Sequence, residues 1–114
     1  MSTRSTISVV QKDNSVKSVY CHFDGYINNG VGEYLKSYFN SDRLANNVIS
    51  EGDISSIHGK SVDSYYSKRG EDINIETYTN LESFYSNKDK QEFNYLFIND
   101  KWQVGIGDDD YKVF

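Results

Sequence analysis

Two stretches near the ends of the chain share one pattern, and it limits the fold more than any other feature. STISVVQKDNSVKSVYCHF sets two runs rich in β-branched residues, 6–11 and 16–23, around Asp13-Asn14-Ser15, which is good turn chemistry. EFNYLFINDKWQVGI alternates Phe93, Tyr95 and Phe97, turns at Asn99-Asp100 and returns through Trp102 and Val104. Strand side chains alternate between faces, so each hairpin has an apolar face to bury. A lone hairpin is marginal in water. The chain must build a sheet and cover it.

Helical patterns supply the cover. In GVGEYLKSYF, Val31, Tyr34, Leu35, Tyr38 and Phe39 fall at i, i+3, i+4, i+7 and i+8, an apolar stripe. Ser41 can N-cap a second helix over 42–50, with Leu44, Val48 and Ile49 inward and Gly52 past its end. GDISSIHGK reads as a loop or short extended piece. SVDSYYSKRGEDINIETY reads as two strands around a turn at 68–72, with Ile73, Ile75 and Thr77 alternating. Asn80 can cap a short helix carrying Leu81, Phe84 and Tyr85. The order ββααββαββ predicts an α+β fold. Its antiparallel sheet is built from two hairpins plus further strands, with about three helices packed on one face. Residues 1–114 are expected to form a single domain, with 108–114 either a flexible acidic tail or an added edge strand.

The composition narrows the class. Ten tyrosines, six phenylalanines and one tryptophan predict an aromatic core with phenol rims left at the surface. Mean hydropathy is low at −0.69, but disordered chains lack evenly spaced aromatic and β-branched positions. Twelve basic against seventeen acidic residues give a net charge of −5, which disfavours direct nucleic-acid binding. It permits docking onto a basic groove of a partner. Cys21 is the sole cysteine, so no intramolecular disulfide can form, as suits a reducing cytosol. MSTRSTISVV has no long apolar run, and no stretch approaches a membrane span, so a cytoplasmic protein is expected.

The chemistry concentrates in YCHFDGY, residues 20–26. Alternation puts Val19, Cys21 and Phe23 on the core face and Tyr20, His22 and Asp24 on the other. Unpaired cysteine is commonly buried, and a core thiol is the favoured reading of Cys21. His22 and Asp24 leave the same face about 7 Å apart, close enough to converge on one ion. With Asp53 and His58 from the 51–59 loop folded over the hairpin end, they would form an imidazole and carboxylate site. Such a site suits zinc, with manganese or iron as alternatives. The plainer alternative has Asp24 and Asp53 capping turns beside Gly25 and Gly52, with His22 on a strand surface. RGED, residues 69–72, is either an interaction epitope or a surface ion pair, and Arg4 can pair with either acidic cluster. Asp108, Asp109 and Asp110 can bind a cation or mimic phosphates, with a solvated acidic tail the favoured reading. No nucleophile elbow or phosphate loop is present, so an enzyme is not favoured.

Together MSTRSTI, YCHFDGY, GDISS, RGED and YLFINDKW, spanning residues 1–102, resemble a family of small proteins from phages, prophages and bacterial mobile elements. The resemblance implies that Arg4, His22, Asp24, Asp53, Arg69, Glu71 and Asp72 are shared polar positions, with His58 outside the pattern. It also implies an accessory role of the anti-defence type, in the manner of anti-CRISPR inhibitors. On that expectation the protein binds a host defence partner, foremost a CRISPR effector nuclease, and blocks nucleic-acid loading. Tyr65, Tyr66, Arg69, Glu71, Asp72 and Asp108–Asp110 would form the contact, and any metal would be structural. The alternative is a small metal-dependent hydrolase of a nucleotide or signalling molecule. A structural or regulatory role unrelated to defence is the third reading.

Overall fold

The computed structural model describes residues 3–64, 74–87 and 91–114. The elements run β1 (Ser5–Val10), β2 (Val16–Cys21), α1 (Val31–Tyr38), α2 (Asp42–Ile49), β3 (Ser56–His58), β4 (Ser61–Asp63) and β5 (Glu76–Tyr78). They continue with α3 (Leu81–Asn87), β6 (Phe93–Ile98), β7 (Lys101–Ile106) and β8 (Lys112–Val113). The α+β class expected from the sequence is what the chain adopts.

Both hairpins form where their turn residues place them. In the first, Asn14 takes φ 70° and the Asp13 carboxylate accepts from the Ser15 N–H and hydroxyl. In the second, Asn99 and Asp100 both have positive φ, 53° and 62°. That is the signature of the two-residue turn whose twist suits a hairpin. The hairpins join by a parallel contact between β1 and β6, which sets Ile7 opposite Tyr95 and Thr6 opposite Asn94. The sheet order is β5-β2-β1-β6-β7-β8, so the sheet is mixed rather than wholly antiparallel. The C-terminal segment takes the edge-strand alternative, with β8 pairing Val113 to Gln103 and Lys112 to Val104.

The two sheet faces carry separate cores. Ile7, Val9, Val19, Cys21, Tyr95, Phe97, Trp102 and Val104 share one cluster with Val31 and Leu35 of α1 and Ala45, Val48 and Ile49 of α2. The Trp102 indole N–H donates to the Phe39 carbonyl (2.9 Å), tying the end of α1 to β7 and satisfying a buried donor. Alternation turns Val16 and Leu96 to the other face, where they meet Tyr78 and Phe84. The expected single helical face therefore holds for α1 and α2, while α3 packs behind the sheet. Ser41 caps α2 through the Leu44 N–H, and Asn80 caps α3 through the Ser83 N–H.

The middle of the chain departs from expectation. β3 and β4 form their own two-stranded sheet, closing around Gly59-Lys60 with Gly59 at φ 60°. The stretch read as a loop or short extended piece takes the extended form at β3. β5 pairs with β2, setting Tyr78 opposite Val16. The turn expected at 68–72 lies outside the described residues.

One buried amide joins the hairpins. Asn94 is 0% exposed. Its Oδ1 accepts from the Thr6 hydroxyl (2.9 Å) and the Gln91 N–H, and its Nδ2 donates towards the carbonyls of Gln91, Gly105 and Gly107. Asn94→Ala strands several of these buried groups at once. The expected loss is about 2–4 kcal/mol of stability, read as a lower urea midpoint with an unchanged slope.

Candidate interaction loop

β2 stops at Cys21, and the next nine residues, HFDGYINNG, form a loop fixed to four neighbours. On one side it meets the segment before β3. The Ile54 N–H donates to the Tyr20 carbonyl (2.8 Å), His22 N–H to the Ile54 carbonyl (3.1 Å) and Phe23 N–H to the Ser55 carbonyl (2.8 Å). On another it meets the start of β1, where the Gly25 N–H donates to the Thr3 carbonyl (2.9 Å). Ahead lies α1, whose Val31 and Gly32 N–H groups donate to the carbonyls of Asp24 (2.8 Å) and Tyr26 (3.0 Å). From beneath, the buried Tyr95 hydroxyl donates to the Gly25 carbonyl (2.7 Å).

The residue choice follows from that packing. Asp24 and Asn29 sit in the left-handed region, at φ 58° and 59°. Aspartate and asparagine tolerate it better than other side chains. Gly25 and Gly30 are there for close approach. A Cβ on Gly25 would lie 2.9 Å from Ser5 Cβ, and one on Gly30 would lie 2.4 Å from the Asp24 carbonyl oxygen. Most of the YCHFDGY-to-GVG signature therefore reads as instructions for holding a loop still.

What the loop displays is aromatic. Phe23 is 44% exposed and Tyr26 46%. This corrects the placement of Phe23 in the core. Alternation ends with the strand, and the chain turns outward at His22. The Phe23 ring stands edge-on to His22, with centroids 4.4 Å apart. Tyr26 packs in a T-shaped arrangement on Phe93, centroids 6.4 Å apart. Cys21 is fully buried, with its sulfur against the carbonyls of Phe23 and Ser55. Burial pushes its thiol up to about 12, so at neutral pH it is an inert core group.

The four residues expected to hold a metal do not gather as one group among the described residues. The loop bearing Asp53 does lie along β2, as the bridge between Cys21 and Ile54 shows. There, however, Asp53 Oδ1 accepts the Tyr20 N–H (2.9 Å) and Oδ2 accepts from the Asn74 amide (2.9 Å). The His22 Nδ1 lies 2.7 Å from the Tyr20 hydroxyl. Asp24 is exposed on the loop, and His58 is exposed at the end of β3 opposite Ser61. Among the described residues no three His, Cys, Asp or Glu side chains gather as a metal-binding group.

Of the residues expected to contact a partner, Tyr65, Tyr66, Arg69, Glu71 and Asp72 lie outside the described residues. Asp108, Asp109 and Asp110 are exposed between β7 and β8, at a turn where the Asp109 N–H donates to the Ile106 carbonyl (3.0 Å). Arg4 is exposed just before β1, and its carbonyl accepts the Phe93 N–H. Sequence reasoning missed the exposed role of Tyr26 and Ile106. The aromatic content signalled surface rings without saying which.

No family model, no curated protein and no solved structure matches the chain. Among the described residues no helix is long and apolar enough to cross a membrane.

Two outcomes test this geometry. Gly30→Ala forces the loop away from α1, which is expected to cost about 1–3 kcal/mol and to speed hydrogen exchange at Val31 and Gly32. In the native protein Cys21 should react with a thiol reagent at pH 8 about a thousandfold more slowly than in urea, tracking unfolding. Fast native labelling would contradict the buried placement.

Proposed function

We propose that this is a non-catalytic binding protein that uses a pre-formed aromatic loop to engage another protein. The observation that carries the reading is the pairing of a fixed backbone with outward rings. Loop 22–30 hydrogen-bonds to the segments before β1 and β3 and to α1, yet leaves Phe23 and Tyr26 nearly half exposed. Exposed rings on a mobile loop lose entropy when they dock. Rings on a fixed loop lose little, and aromatic anchors contribute most of the energy of many interfaces.

The resemblance to small phage and prophage proteins supplies the partner class. A CRISPR effector nuclease must hold nucleic acid in a basic channel before it acts. A chain of net charge −5 is steered towards such a channel and can occupy it before nucleic acid does. On this reading the protein is an anti-defence inhibitor that blocks nucleic-acid loading.

The test is target-DNA cleavage by a panel of purified Cas9-type and related effectors. Inhibition should be strong when the protein precedes guide and target, and weak when it follows them. Phe23→Ala with Tyr26→Ala should weaken effector binding by about tenfold or more at unchanged thermal midpoint. Absence of both binding and inhibition across the panel removes the nuclease as partner.

A further inference from the structure

The aromatic loop does not end the exposed apolar surface at its end of the sheet. Phe93, which carries the Tyr26 ring, opens β6 and lies opposite Ile106, the last residue of β7. Ile106 is 43% exposed. Phe93 and Ile106 are on the same sheet face as Tyr95 and Val104, one pair further along the ladder. Continuing the β7–β8 register by two places sets Asp110 beside Ile106. Phe93 and Ile106, paired across β6 and β7, thus extend a row from the loop residue Tyr26 to the turn that holds Asp108, Asp109 and Asp110. Exposed Glu92 borders it as well, since its carbonyl accepts the Gly107 N–H (3.0 Å).

The charge around this row selects its occupant. Among the described residues, Arg4 and Lys112 are the cations on these strands at that end, against Asp24, Glu92 and the three aspartates. A second copy of the chain would bring like carboxylates face to face across a twofold axis, which is unfavourable. Nucleic acid and anionic headgroups are repelled for the same reason. A cationic protein surface with an apolar pocket meets both the row and its rim.

We infer that Tyr26, Phe93 and Ile106, rimmed by Asp108–Asp110, are the docking face for a basic protein surface. This inference rests on the binding-protein reading above and locates the contact, without depending on which basic protein is bound. The apolar row supplies the anchor and the carboxylates supply orientation and association rate.

The probe is a synthetic amphipathic peptide rich in lysine and arginine, titrated into the ¹⁵N-labelled full chain. A matched peptide with its apolar residues replaced by serine serves as the control. Shifts should concentrate at Tyr26, Phe93, Ile106 and the 107–110 turn. Tyr26→Ala with Ile106→Ser, both exposed positions, should weaken binding about tenfold with every charge kept. Asp109→Asn with Asp110→Asn should weaken it and flatten its salt dependence. Lys12→Ala with Arg43→Ala, at the opposite end of the sheet, should leave it unchanged.

Several results overturn the inference. They are shifts centred elsewhere, no binding, equal binding of the serine peptide, or indifference to the Tyr26 and Ile106 substitutions. Self-association of the native chain that Ile106→Ser abolishes does so too, because the occupant is then a second copy. A positive peptide footprint with a negative effector panel removes the nuclease and leaves the face standing.

Discussion

The parallel contact between β1 and β6 is the interaction on which the rest of the structure depends. Each hairpin can close by local turn chemistry, but neither alone has enough partners to persist in water. Their union makes a sheet wide enough to bury a core on each face. It also brings residues 88 positions apart into one hydrogen bond, Thr6 to Asn94. Because Asn94 also reaches the carbonyls of Gly105 and Gly107, a slip of register would leave buried polar groups unpaired. The same register puts Tyr95 under the loop that its hydroxyl holds, and Phe93 under Tyr26. The loop's position is therefore a consequence of how the two hairpins join.

Local signals in the sequence were legible where local chemistry decides. Asp13-Asn14-Ser15 and Asn99-Asp100 turn because these residues tolerate positive φ and satisfy their own backbone. Ser41 and Asn80 cap helices, and Gly52 at φ 80° closes α2 by donating to the Ile49 carbonyl. Long-range pairing was not legible. Period-two patterning says which residues share a face, but not which strands become neighbours. It therefore gave no sign that β1 and β6 run parallel, that β4 leaves β5 for β3, or that Phe84 of α3 packs behind the sheet. Asn94 shows the limit well. Alternation with Phe93 and Tyr95 marks it as an outward polar residue, whereas it is the buried tie between hairpins.

The candidate site was legible as a location. YCHFDGY is where the chain exposes its aromatic loop, and Cys21 is the core thiol that its alternation implied. Phe23 escaped because alternation holds only while the strand continues, and β2 ends at Cys21, two residues before it. The histidines and aspartates suggested a metal because their type and spacing permit one. Asp53 accepts from the Tyr20 N–H and the Asn74 amide, a use of carboxylate that sequence cannot separate from ligation.

Charge along the sheet axis gives the docking face a direction as well as a composition. Among the described residues, the end holding Tyr26, Phe93 and Ile106 is bordered mainly by carboxylates. The far end, where the first hairpin turns beside α2, has a cleft of about 580 Å³ whose lining sets Lys12, Lys17 and Arg43 against Asp13 and Asp42. In that cleft Asp13 accepts two hydrogen bonds from Ser15, and its carboxyl is held below its usual range by them. The chain is acidic overall, yet its two ends are not alike. A basic partner therefore meets a molecule already turned by its field, acidic end first, before any ring touches. Beyond a Debye length salt removes that torque, whereas the apolar row acts only on contact and is insensitive to it. Orientation and holding are thus assigned to different side chains. The fixed loop is what lets them act together, because a ring that had to find its pose after encounter would forfeit the advantage of arriving aligned.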